Sequence, residues 1–175
     1  GPAASDNVQM KSRLLLPFFC AIALAACSPS LDWREVRPAD SGVLVLFPCK
    51  PEINSRPATA AEPARMGLAQ CKAAGLSFSL SWAELADPAQ ITPALRQMWE
   101  SLAGKLAAAP AAPQPLQIPG MTPNPEAQSQ SLAGTQAGQV AVFTRGRMVY
   151  QAVMLGTKPD AAAWDSFVGS LKLDS

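Results

Sequence analysis

The sharpest pattern along the chain lies at residues 76–82, where Leu76, Phe78, Leu80 and Trp82 alternate strictly with Ser77, Ser79 and Ser81. A period of two sends successive side chains to opposite faces of a pleated strand, so the segment is predicted as a strand with one apolar face and one serine face. Residues 43–47 are apolar on both faces, as in a central strand, and Pro48 stops them. Residues 31–37 read as an edge strand with Trp33 turned inward, followed by turn chemistry at Pro38-Ala39-Asp40-Ser41-Gly42. Residues 50–64 contain Pro51, Pro57 and Pro63 and are predicted to be a loop. A weaker strand at 65–71 joins the serine strand through Lys72-Ala73-Ala74-Gly75, where Gly75 is free to adopt a positive φ.

The period then changes. Leu95, Met98, Trp99, Leu102 and Leu106 form one stripe of an amphipathic helix that opens at Thr92-Pro93 as N-cap and first helical position and ends near Ala109. A stripe of this kind is core packing. Residues 131–136, 138–144 and 147–155 read as a meander with a two-residue turn at Arg145-Gly146, and Pro159 opens a last helix with Ala161, Trp164, Phe167, Val168 and Leu171 on its apolar side. Between helix and meander, residues 110–125 hold Pro110, Pro113, Pro115, Pro119, Pro123 and Pro125, too many for a helix or a central strand. Alanine and glutamine surround these prolines, without the basic or aromatic anchors of a proline-motif ligand, so the segment reads as an extended crossing loop. The order predicts an α+β domain over residues 31–175, an antiparallel sheet of about six strands flanked by two main helices.

The amino-terminal segment has a different character. Residues 1–9 read as a tag or extension. Lys11 and Arg13 precede the uncharged run 14–26, which has the length of a secretory h-region and is shorter than the ~20 residues that cross a bilayer. The run ends in Leu24-Ala25-Ala26-Cys27, which resembles the bacterial lipobox. That resemblance implies a signal peptide at 10–26, cleavage after Ala26, diacylglycerol on the Cys27 thiol and acylation of the new amine, with 27–30 as a lipidated tether. Each buried methylene contributes about 0.8 kcal/mol, so two or more chains anchor stably where one does not. Ser28, in the place of an aspartate, points by the same resemblance to the outer membrane. An ordinary signal peptide with a coincidental cysteine, or a buried apolar helix, is the plainer alternative.

Phe47-Pro48-Cys49-Lys50-Pro51 at a strand end, the long helix, Gly134 before a meander, Tyr150-Gln151-Ala152, and the ending Phe167-Val168-Gly169-Ser170-Leu171-Lys172 together resemble the PsbP-like α/β/α sandwich found in bacterial envelope lipoproteins. The resemblance implies that fold over most of residues 27–175 and an assembly or accessory role. It carries over no catalytic residue, and the proline-rich segment and the cysteine pair depart from the pattern.

Charge and chemistry narrow the function further. Setting aside Lys11, Arg13 and Asp6 from the 14 basic and 13 acidic side chains leaves 12 of each, so residues 27–175 have no net charge and no footprint for nucleic acid. With Cys20 in the signal peptide and Cys27 lipidated, Cys49 and Cys71 remain, and in an oxidising compartment they read most simply as a disulfide. Closing a loop of about 20 residues contributes roughly 3–4 kcal/mol. A redox-active pair is the alternative, without the Cys-x-x-Cys spacing that lowers a thiol pKa. The sequence has no histidine, which removes the Ser–His–Asp and Cys–His systems and the usual zinc sites. Glu84 and Asp87 fit a cation site or, more simply, solvated charge beside a helix start. The expectation is an outer-membrane-anchored periplasmic lipoprotein, without cofactor, metal or catalytic residues. It acts as a binding or assembly module for an envelope protein through the serine face or the proline-rich loop. A carrier of a small hydrophobic ligand, or an envelope enzyme with an unrecognised site, is the alternative.

Overall fold

The chain enters its core at Leu31 and Trp33, the latter meeting the ring of Phe78 edge-on at 6.0 Å. The structure, a computed structural model, describes residues 1–3, 30–61 and 64–174. The expected signal peptide at 10–26, the expected lipidation site Cys27 and most of the expected 1–9 extension lie outside the described residues.

Among the described residues the strands are β1 (Arg34–Val36), β2 (Val43–Phe47), β3 (Glu52–Arg56), β4 (Met66–Ala73), β5 (Leu76–Glu84), β6 (Ala109–Pro110), β7 (Gln114–Pro115), β8 (Gln128–Ala133), β9 (Ala137–Arg145), β10 (Met148–Gly156) and β11 (Lys172–Leu173). The helices are α1 (Ile91–Lys105), entered through a 3₁₀ turn at Pro88–Gln90, and α2 (Ala161–Gly169). The fold is α+β with two antiparallel sheets. The small one runs β1-β2-β11 and the large one β3-β4-β5-β10-β9-β8-β6, with β7 also paired to β8.

The single predicted sheet is therefore two. β2 is central, as its composition suggests, but in the small sheet, because β3 already occupies the outer edge of β4. The small sheet and α2 cover one face of the large sheet. Val43, Val45 and Phe47 of β2 bury there with Phe167 of α2 against Phe78, Leu80 and Trp82 of β5. Phe167 sits edge-on to Phe47 at 5.2 Å and to Phe78 at 5.4 Å. Each such side chain, fully removed from water, contributes about 1.5–3 kcal/mol. α1 packs on the opposite face through Ile91, Leu95 and Ala103, over Val140, Val142, Val149 and Val153.

Local chemistry explains the element boundaries. Residues 52–56, expected in a loop, form β3 because β4 offers a full antiparallel partner from Glu52↔Gln70 to Arg56↔Met66. Thr92 does not cap α1. The helix begins at Ile91 behind the 3₁₀ turn that Asp87 caps by accepting from the Ala89 N–H, and the Thr92 hydroxyl accepts from Asn124 instead. The helix ends at Lys105, short of Ala109, and Ala107 follows with a φ of 48°. Asp160 caps α2 by accepting from the Ala163 N–H. The meander strands are offset a few residues from their expected bounds, and the β9–β10 turn is Gly146-Arg147, since Arg145 pairs with Met148.

Candidate functional site

α1 is narrower than the sheet beneath it. Its contacts fall on β9 and β10, and the side chain of Gln151 on β10 donates a 3.0 Å hydrogen bond to the Met98 carbonyl, fastening the middle of the helix there. On the same face, β5, β4 and β3 run out from under the helix. The serine side of β5 and the Met66 and Leu68 side of β4 are consequently left half-covered.

Two adjoining depressions follow this boundary. One, of about 530 Å³, is walled by Asn54 and Arg56 of β3, Met66 and Leu68 of β4, Ser81 and Ala83 of β5, and Met98 of α1. The other, of about 390 Å³, runs along the helix past Leu85, Ala94, Ser101, Leu102 and Lys105 to Val149 and Gln151. They share Ala83 and Met98 and so form one trough, apolar along its floor and polar at its rims. Met66 is 41% exposed, a large apolar side chain open at the mouth.

The acids singled out by sequence lie elsewhere. Alternation along β5 turns Ala83 into the trough and Glu84 away from it. Glu84 accepts from Arg65 and Arg147, each at 2.9 Å. The Arg65 hydrogen bond holds the Glu84 carboxyl below the usual carboxylate range, against the burial that pushes it up. Asp87 caps the 3₁₀ turn. Both carboxylates are engaged by the protein's own groups, and among the described residues no cluster of three or more metal-ligating side chains forms.

Cys49 and Cys71 are bonded, with Cα atoms 6.0 Å apart, which ties the end of β2 to β4. The proline-rich segment is fastened rather than free. β6 and β7 pair with the outer edge of β8, Ile118 is buried in the core, the Thr122 N–H donates to the Thr144 carbonyl, and the Leu173 N–H donates to the Pro119 carbonyl. Of the two candidate surfaces, the serine face is the open one. Met66, Leu68 and Met98 were missed as site residues, because apolar side chains on a strand and on a helical stripe read alike whether covered or not.

No known protein-family model matches the chain, and no curated protein matches it in sequence.

Proposed function

We propose that the chain is a lipoprotein of the cell envelope, anchored by lipid on Cys27 at the outer membrane and facing the periplasm, whose folded domain is a non-enzymatic binding or assembly module. The half-covered sheet carries this reading. Apolar surface left in water costs about 25 cal/mol per Å², and the floor at Met66, Leu68, Ala83 and Met98 gains that free energy when a partner covers it. The rims at Asn54, Ser81, Ser101 and Gln151 supply hydrogen-bonding groups to orient the partner. The layering, with α2 on one face of the large sheet and α1 on the other, supports a PsbP-like α/β/α arrangement.

A photo-crosslinking side chain placed at Leu68 or Met98 in living cells should capture the same envelope protein from both positions. Capture that is no different from that of a probe at Asp165, on α2, would sink the trough as the binding surface. Acyl labelling tests the anchor separately. Label should be lost in Cys27→Ala, and label retained there would overturn the lipid assignment. The volume near 530 Å³ also suits a small hydrophobic ligand. Native mass spectrometry of protein taken from membranes would show such a ligand as added mass, displaced in Leu68→Lys.

A further inference from the structure

Residues 27–175 carry no net charge, but the charges are unevenly placed. Arg34, Arg37, Arg65, Arg96 and Arg147 each pair with a carboxylate. Lys50, Lys72, Lys105 and Lys158 are exposed, and among the described residues none of them forms an ion pair. These four gather at one end of the molecule, while the remaining described lysine, Lys172, sits on β11 opposite Leu44.

The fold brings them there by different routes. Lys50 follows Cys49 and Lys72 follows Cys71, so the disulfide brings the two lysines to one place. With Gln70 and Ser77 they border an open, polar depression of about 450 Å³ beside the bond. Lys72 and Ser77 also border a second depression with Gln136 and Thr157, and Lys158 is the next residue. Lys105 ends α1, and the carbonyl of the following Leu106 accepts from the Thr135 N–H, next to Gln136. The acids at this end are engaged. Asp32 pairs with Arg34, Glu52 accepts from Asn54, and Asp160 caps α2.

The chain also enters the domain here. The Asp32 N–H donates to the Pro48 carbonyl at 2.8 Å, next to the disulfide, and Trp33 meets Phe78, the pairing partner of Cys71. Fully extended, the three residue steps from Cys27 to Ser30 span at most about 11 Å. A lipid on Cys27 therefore holds this end within roughly a Debye length of the headgroups, where a lysine still feels lipid charge. We propose that this lysine-bearing end is a membrane-contacting surface, whose four ammonium groups take the phosphates of acidic phospholipids and orient the domain. Met66, at the mouth of the trough, lies six residues along β4 from Lys72, about 20 Å away from the contacting end. The mouth is thereby presented to the periplasm. The proposal deepens the anchored-module reading and rests on the lipid at Cys27.

The test uses protein purified from membranes, with acylation of Cys27 read by mass spectrometry. It is reconstituted into vesicles that carry a headgroup quencher, made of phosphatidylcholine alone or mixed with phosphatidylglycerol. A fluorophore on Ala74→Cys, in the β4–β5 turn at the lysine end, should be quenched more on the acidic vesicles, and the gain should fade as salt is raised. One on Ala86→Cys, past the other end of β5, should be quenched little on either. Each lysine is worth up to about fivefold in the ratio of docked to undocked orientations, so Lys72→Gln alone should lower the gain. Lys50→Gln/Lys72→Gln/Lys105→Gln/Lys158→Gln should abolish it, and thermal melts check that each variant folds. A tether without a lysine contact gives quenching at Ala74→Cys that ignores lipid charge. That result, or a quadruple variant that folds and keeps the gain, overturns the lysine surface and leaves the anchor standing. An unacylated Cys27 overturns both.

Discussion

The hydroxyl of Tyr150, at the centre of the large sheet, donates a 2.7 Å hydrogen bond to the carbonyl of Ser41, in the turn that leads into β2. The two residues are buried, and the bond joins the two sheets through a polar contact inside an otherwise apolar layer. Burial pushes the Tyr150 phenol up to about 12. The folded state thus favours the neutral, hydrogen-donating form more than the unfolded chain does. Its contribution is complete below pH 10 and is lost as pH rises through about 12. Tyr150 is the sequence's one tyrosine, so phenolate absorbance reports it alone. The titration should be displaced upward in folded protein and return to near 10 in denaturant.

Tyr150→Phe removes the donor and leaves the Ser41 carbonyl buried without it. Chemical denaturation at neutral pH should show a loss of about 1–3 kcal/mol. The variant should also lack the part of the alkaline destabilisation that belongs to this phenol.

Gly67 on β4 pairs with Trp82 on β5, and the indole lies across the glycine where a Cβ would stand. Gly67→Ala should displace the ring and cost about 1–3 kcal/mol, with a shift in tryptophan fluorescence. In a Trp82→Leu background the same substitution should cost much less, and a double-mutant cycle measures the difference.

Ala74 takes a φ of 52° in the two-residue turn between β4 and β5, beside Gly75 at 72°. Both turn positions are left-handed, the geometry in which Asn-Gly is preferred. Ala74→Asn should therefore stabilise the protein by about 0.5–1 kcal/mol, read from the midpoint of a urea titration.

Replacing Cys49 and Cys71 with serine should lower stability by roughly 3–4 kcal/mol for a separation of 22 residues. The amides of β3 should lose more hydrogen-exchange protection than those of β10. β10 is paired on both sides, whereas among the described strands β3 pairs with β4 on one side.

The parts of this fold legible in sequence are those where a residue's local neighbours determine its surroundings. The alternation of Leu76, Phe78, Leu80 and Trp82 with three serines needs no tertiary information, and β5 follows it. The Cys49–Cys71 bond and the packing of Trp33, Trp164 and Phe167 were likewise legible, as were the turn at Gly75 and the two helices. β3 was not. Glu-Ile-Asn-Ser-Arg between two prolines has no strand signal of its own, and only the partner residues 66–70 make it one. The division into two sheets depends on Lys172 and Leu173 returning to pair with Leu44 and Val43, a contact far away along the chain. The serine face was visible as a polar surface, but its apolar floor was not. Whether Met66, Leu68 and Met98 are covered depends on where α1 lies across the sheet, and the Gln151–Met98 hydrogen bond that places it joins distant segments.

The bond between Cys49 and Cys71 makes a covalent ring of the chain that contains β3. A protease that cuts this ring once, at 57–61 for example, releases nothing: both new ends remain on one molecule. The nick should be invisible by mass apart from one added water, and two fragments should separate only under reducing conditions. The edge strand can then lose its connection to β4 through the backbone and still remain paired with it.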